Sequence, residues 1–286
     1  MAILRKAVAE DFEKVLPLLL EFDNPRPARE DWKQLFVDHW GIREGYFGYM
    51  LVDRDEVVGF LSTIFSHRSV NGKLRKFCNI GNWIVRWEYR SESARLLFPV
   101  LKTEACAITA FSASSEEVCL MLKKLGFKEI ETKTSVILPR PAIGFSGRDH
   151  SIEFDKDAIR SRLGEKDLKI YNDHARFKAV HMVLKTKNGD CYIVANRTVR
   201  KKIFSFAQIH YIGDIDIFSK YIVRLSSTIC LKLKVCGIIL DRRYTEGRGI
   251  RNTVTLRRRY PALFRSELLG PGDIDSLYSE LLVLNT

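Results

Sequence analysis

The sequence predicts an α/β chain in which helices flank a mixed, centrally twisted sheet, with that arrangement occurring twice. Three observations carry the expectation. Short runs of β-branched and aromatic residues alternate with segments whose apolar residues recur at helical spacing. A buried strand from Cys78 to Val85 leads through a polar turn, Arg86 to Arg90, into a segment opened by Ser91–Glu92–Ser93. The order hairpin, strand, helix, strand in residues 46–112 returns in residues 180–241. The expected layout is a first domain over 1–138, a linker over 139–155, and a second, basic domain over 156–286.

Ile3 to Val8 reads as a strand. A helix opening at Ala9–Glu10–Asp11 follows, with Phe12, Val15, Leu16, Leu19 and Leu20 as its apolar stripe. Asn24–Pro25–Arg26–Pro27 breaks it, and a second helix is expected over Glu30 to Trp40. Tyr46 to Val52 and Val57 to Ser66 read as a hairpin around Asp53–Arg54–Asp55–Glu56, and Asn71–Gly72 makes the next turn. Simple alternation along Cys78–Val85 puts Asn79, Gly81, Trp83 and Val85 on one side and Cys78, Ile80, Asn82 and Ile84 on the other. A helix from Ser91 is expected to bury Ala94, Leu97, Phe98, Leu101 and Ala105, with a kink or shortening at Pro99. Cys106 to Ser112 is the next strand. Ser114 and Glu117 have capping-box spacing for a helix over Ser115 to Leu125, which Gly126 ends. Ile130 to Leu138 is expected to close the first domain.

Pro139 to Gly147 reads as linker. Val180 to Lys185 and Cys191 to Ala195 form a second hairpin, and Ser205 to Ile212 a strand. Phe218, Ile222, Leu225, Ile229 and Leu233 stripe a helix, Cys236 to Asp241 is a strand, and Tyr278 to Leu284 packs into the core.

The run Val85–Arg86–Trp87–Glu88–Tyr89–Arg90, followed by small residues and a Leu-Leu helix, resembles the acyl-CoA-binding motif of the GCN5-related N-acetyltransferase family, V-x-P-x-Y-R-G-x-G-x-G. Ser115 to Phe127 resembles that family's N-x-x-A-x-x-L-Y-x-x-x-G-F segment, with Ser115 for the Asn, Val118 for the Ala and Gly126–Phe127 matching directly. The resemblance implies an acyl-CoA N-acyltransferase-like fold, which the repeated order of elements extends to a tandem pair, and acetyl-CoA or another acyl-CoA as cofactor. It implies that Trp83, Ile84 and Val85 pair with the pantetheine arm, and that Arg90, Ser91, Glu92, Ser93, Ala94, Arg95 and Ser115 serve the diphosphate end. It implies transfer to a small amine such as an amino sugar or amino acid. The sequence departs from the motif: Trp87 replaces the Pro, Ser91, Ser93 and Arg95 replace the glycines, and Leu122 stands where many members carry the Tyr that protonates the leaving thiolate.

Several residues have two readings. Glu88 and His39 are candidate bases or simply a surface charge and a packed ring; geometry must decide. Ser115 is a third catalytic candidate. Trp32, Phe36, His39 and Trp40 either line the acceptor site or pack as core aromatics. Asn79 and Asn82 are polar residues in a buried run, so they bond a ligand or satisfy a bulge.

Composition sets bounds. With 46% apolar and 29% charged residues the chain can build a sizeable core. No apolar run reaches membrane-spanning length, and the charged start MAILRKAVAEDFEK argues against a secretory signal. Six cysteines without a CxxC pair argue for reduced thiols in the cytoplasm and against a zinc site or disulfide frame. The net charge of +12 is lopsided: +2 over residues 1–140 and +10 over 141–286. Eight arginines between Arg242 and Arg265 supply much of it. They form a solvated face or meet an anionic ligand, for which Arg242 and Arg248 are candidates. Nucleic acid is the less favoured anion. The alternative to an enzyme is therefore a catalytically silent protein of the same fold that binds an anion through its basic half.

Overall fold

The structure is a computed structural model that describes residues 1–22, 27–140, 150–200 and 203–285. In chain order its regular elements are β1 (Ile3–Ala7), α1 (Phe12–Leu19), α2 (Arg29–Lys33), β2 (Gly48–Asp53), β3 (Glu56–Val70) and β4 (Lys73–Val85). There follow α3 (Phe98–Leu101), β5 (Ala107–Ala110), α4 (Glu116–Lys124), β6 (Lys128–Ile137), β7 (His150–Glu153), α5 (Lys156–Arg160) and α6 (Glu165–His174). The last are β8 (Val180–Thr186), β9 (Gly189–Arg200), β10 (Phe204–Ile212), α7 (Ile215–Leu233), β11 (Ile238–Asp241), β12 (Thr253–Arg265) and α8 (Glu280–Val283). Much of the expected Asn24–Pro27 break and of the linker lies outside the described residues.

The chain forms two compact units, Met1–Ile130 with Tyr260–Leu284, and Glu131–Arg259 with Asn285–Thr286. They do not divide at the expected linker. Most of β6, expected to close the first half, belongs to the second unit, where it pairs antiparallel with β11 from Ile238↔Ile137 to Asp241↔Thr134. The strand that closes the first unit is the end of β12, antiparallel to β5 through Leu263↔Ala110 and Arg265↔Ile108. Periodicity identifies a strand but says nothing about which neighbour it will take, so the exchange is invisible in the sequence.

Each unit then has the same sheet. Unit 1 runs β1, β2, β3, β4, β5, β12 and unit 2 runs β7, β8, β9, β10, β11, β6. In both, the fourth and fifth strands are parallel and every other neighbouring pair is antiparallel. The β2–β3 and β3–β4 hairpins close through two residues each, Arg54–Asp55 and Asn71–Gly72, all at positive φ as a tight hairpin turn requires.

The fourth strand of each unit carries a bulge. In β4, Gly81 faces Ser62 and Ile84 faces Phe60, so Asn82 and Trp83 together oppose Leu61, with Asn82 at φ 48°. In β10 the extra residue is His210, between Ile209↔Ala195 and Tyr211↔Val194. The β4 bulge corrects the alternation expected from sequence. Cys78, Ile80, Trp83 and Val85 all pack on one cluster, with Leu96 and Leu97, because the extra residue reverses side-chain parity after Gly81.

Two helices are shorter than expected. α2 passes into a 3-10 turn that ends at Phe36, and His39 and Trp40 lie in the following loop. There the Asp38 carboxylate takes the N–H groups of Ile42 and Arg43 at 3.0 and 2.7 Å, a local bond pattern that competes with helix. From Trp87 to Leu96 the chain is 3-10, and α-helix begins only at Phe98, because Pro99 has no N–H to offer Arg95 and its ring would strike that carbonyl. Leu97 is buried as expected, but Phe98 is about half exposed. Ser115, not Ser114, caps α4, its Oγ accepting the Val118 N–H at 3.3 Å. The α7 stripe is as expected: Phe218, Ile222, Leu225 and Ile229 are buried. Among the described residues no helix is long and apolar enough to cross a membrane.

Candidate functional site

In unit 1, β4 and β5 are paired only from Phe77↔Ala107 to Ile80↔Ala110. Beyond that point β4 runs on to Val85 while β5 ends, so Gly81–Val85 has a strand neighbour on the β3 side alone. Strand edges of this kind offer unpaired N–H and C=O groups to an extended partner. The bulge at Asn82 lies within this free edge and takes one more residue out of the ladder.

Polar side chains gather where the strands part. The Asn79 amide nitrogen donates to the carbonyl and hydroxyl oxygens of Thr109, both at 3.3 Å. Its oxygen accepts the backbone N–H of Glu280 at 3.1 Å. Asn82 donates to Ser62 Oγ at 3.2 Å, and that hydroxyl donates to the Gly81 carbonyl at 2.8 Å. Ser112, just past β5, donates to Glu280 Oε1 at 2.6 Å. Glu280 is 2% exposed, and its Oε2 has no hydrogen-bond partner. Burial pushes this carboxyl up to about 7, against weaker opposing pulls from Ser112, its own backbone N–H and Asn79. Gly81 is what lets the carboxyl sit here: a Cβ at 81 would lie 2.9 Å from Glu280 Cδ.

The segment that delivers Glu280 is anchored on unit 1. Arg68 pairs with Asp275, and its guanidinium lies 4.5 Å from the Phe77 ring centroid and 5.4 Å from that of Tyr278. Tyr278 meets Trp40 edge-on at 4.9 Å. Sequence reasoning missed Glu280, Ser112, Ser62 and Thr109. The one available signal was a lone carboxylate inside an apolar run, Ser279–Glu280–Leu281–Leu282–Val283–Leu284.

The expected residues fall into three groups. Asn79 and Asn82 lie at the parting of the strands, and Trp83, Ile84 and Val85 on the free edge. Trp83 Nε1 is buried without a partner. Others serve packing or capping. Phe36 sits among Phe12, Phe47 and Phe60 at 5.5 to 6.0 Å, and Trp32 stacks on Phe22 at 5.8 Å. His39 is buried, its Nε2 on the Gln34 carbonyl at 2.8 Å, and it lines a small cavity with Trp40, Tyr46 and Thr63. Ser115 is the α4 cap. Glu88 is exposed on the 3-10 segment. The third group lies in unit 2: Arg242 bonds Thr255 Oγ1 and Glu246, and Arg248 is exposed in the following turn. Asp241 takes both Arg243 and Arg258, which neutralises part of the arginine-rich segment.

Residues fit an acyl-CoA unevenly. Along β4 the fit is good, since Gly81–Val85 is an open edge with a bulge in it. At the diphosphate end Arg95 is already committed: its Nη1 holds the Glu92 carboxylate and donates to the Ala2 carbonyl at 2.9 Å. Arg90 is exposed, with its guanidinium 4.5 Å from the Trp87 ring centroid. Ser91 is exposed, while Ser93 and Ala94 are half-buried. The corresponding turn of unit 2 is closed to an anion. Asp214 Oδ1 takes the N–H groups of Asp216 and Ile217 at 2.9 Å each, and a Cβ at Gly213 would lie 2.9 Å from Asp167 Oδ2.

No protein-family profile and no curated relative matches the sequence. Solved structures do match. One is a conserved protein of unknown function from Enterococcus faecalis V583, a probable N-acyltransferase, with 10% identity and a TM-score of 0.60 over 93% of this chain and 73% of that one. Another is a GCN5-related N-acetyltransferase from Kribbella flavida, with 12% identity and a TM-score of 0.59 over 92% and 70%. A third is a putative acetyltransferase from Pyrococcus horikoshii, with 15% identity and a TM-score of 0.57 over 97% and 92%. By these overlays the chain has the fold of the GCN5-related N-acetyltransferases.

Proposed function

We propose that this protein is an acyl-CoA-dependent N-acyltransferase of tandem build that works in unit 1 on a small amine acceptor. The observation that carries the reading is the free edge of β4 from Gly81 to Val85, beginning where β5 ends and containing the Asn82 bulge. An acyl-CoA, acetyl-CoA in the simplest case, supplies the activated thioester. The backbone of Gly81–Val85 holds the pantetheine arm as an added strand, and Trp83, Ile84 and Val85 give that edge its apolar flank. Backbone N–H groups at the bulge face the carbonyl oxygen where negative charge builds up. Much of the rate gain comes from holding amine and thioester in line, so that Leu122 in place of a proton-donating Tyr is compatible with turnover.

At the diphosphate end the reading assigns Arg90, Ser91 and the exposed start of the 3-10 segment as contacts, and leaves Arg95 a structural role with Glu92 and Ala2. Unit 2 completes the tandem without a nucleotide site of its own. The six cysteines are free thiols, four of them buried, which suits a reducing cytoplasm. The test is calorimetric titration with acetyl-CoA, followed by a thiol-release assay over a panel of primary amines. Binding, with thiol release that depends on one class of amine, supports the reading. No binding of acetyl-CoA, or binding that persists when β4 is disrupted, overturns it.

A further inference from the structure

We propose that Glu280, brought in by the segment after β12, is the group that takes the proton from the acceptor amine, with Ser112 and Asn79 positioning it. The inference rests on the acyltransferase reading of unit 1 and names a residue outside both sequence motifs. Its geometry is specific. The carboxyl lies against Gly81, the first residue of the free β4 edge, and bridges the two strands at the point where they separate. Asn79 on β4 fixes its backbone, and Ser112 beyond β5 fixes Oε1, leaving Oε2 buried and unpartnered. An unpartnered oxygen on a buried carboxyl is costly and rare in folded proteins. An acceptor N–H would supply the missing bond.

The titration suits the task. A carboxyl near 7 changes charge in the range where an amine must be stripped of its proton. The groups acting on it are uncharged: Ser112, Asn79 and its own backbone N–H. Of the titratable side chains on the surrounding segments, Arg68 and Asp275 pair with each other, and His39 bonds the Gln34 carbonyl. In the step, one proton passes from the acceptor ammonium to Glu280 Oε2. The nitrogen lone pair forms the C–N bond at the thioester carbonyl, and the C–S bond breaks with its electron pair on sulfur. The nitrogen's surplus proton ends on that sulfur, and Glu280 returns its proton to solvent. One ammonium and one thioester thus give one amide, one thiol and one proton.

The experiment compares wild type, Glu280→Gln and Ser112→Ala for acetyl-CoA binding and for the pH profile of kcat/KM with the best amine. The expected wild-type profile has an acidic limb with its midpoint near 7. Glu280→Gln keeps acetyl-CoA affinity within about threefold, loses roughly 10²-fold in kcat/KM and loses that limb. Ser112→Ala removes a bond that favours the carboxylate, so the limb moves upward in pH, a shift that a purely structural role for Ser112 does not produce. If Glu280→Gln binds acetyl-CoA and keeps both its rate and its limb, the inference is wrong while the acyltransferase reading stands. If wild type binds no acetyl-CoA, both fall. Should Glu280→Gln fail to fold, the direction of the Ser112→Ala limb decides: an unmoved limb refutes the proposal.

Discussion

Glu280→Gln should change how the stability of unit 1 depends on pH, and the size of the change follows from burial. In the folded protein the carboxyl titrates at about 7, against 4.5 as its ordinary value. Between those two values the folded state holds a proton that the unfolded state has released. Stability therefore falls as pH rises through this window, the sign expected when the folded state binds more protons. With each pH unit of difference worth about 1.4 kcal/mol, the full loss between pH 4 and pH 8 is about 3 kcal/mol. Glutamine does not titrate, so that slope disappears in the variant, whatever the constant cost of its amide. The stability of the variant relative to wild type thus improves by about 3 kcal/mol from pH 4 to pH 8. The four tryptophans, Trp32, Trp40, Trp83 and Trp87, all lie in unit 1, so urea unfolding followed by their fluorescence reads this unit directly. Parallel pH profiles for variant and wild type would show that Glu280 is an ordinary exposed acid and would refute the burial on which the argument rests.

Other outcomes follow from the same contacts. Gly81→Ala places a methyl against Glu280 Cδ and Cγ at 2.9 and 3.0 Å, and should cost about 1–3 kcal/mol with loosened amide protection in α8, read by hydrogen exchange. Arg68→Ala removes the partner of Asp275 and a cation stacked on Phe77 and Tyr278; a loss of about 2–4 kcal/mol in the fluorescence-detected transition is expected. In unit 2, burial pulls His210 down to about 3 and His181 to about 4. The unfolded state takes up protons first, so unit 2 should lose about 2 kcal/mol per imidazole between pH 6.5 and pH 5, visible as faster exchange in β8 and β10. Arg90→Ala should weaken acetyl-CoA binding severalfold, whereas Arg95→Ala should lower thermal stability, since Arg95 is held by Glu92 and Ala2.

Local chemistry was legible in the sequence wherever it decides structure alone. The Asn71–Gly72 and Arg54–Asp55 turns, the α7 stripe and the Gly126 stop are instances of this. So was the fold class, through the resemblance carried by Val85–Arg90 and Ser115–Phe127. What stayed hidden depends on neighbours. The Asn82 bulge reverses the faces of Trp83 and Val85 because β3 offers one residue to two of β4. The exchange of β6 and the end of β12 between units is a choice of partner that periodicity does not encode. Glu280 is 201 residues from Asn79 and 168 from Ser112, so nothing in its local sequence announces the contact. His174, His181 and His210, buried in unit 2, are likewise scattered along the chain.

Hydrogen exchange with and without saturating acetyl-CoA reads the docking edge itself. If β4 holds the cofactor, exchange slows in the amides of residues 81–85 and in the segment from Trp87 to Ala94, with β10 and β11 of unit 2 unchanged. Protection confined to unit 2, or none at the β4 edge, would contradict it.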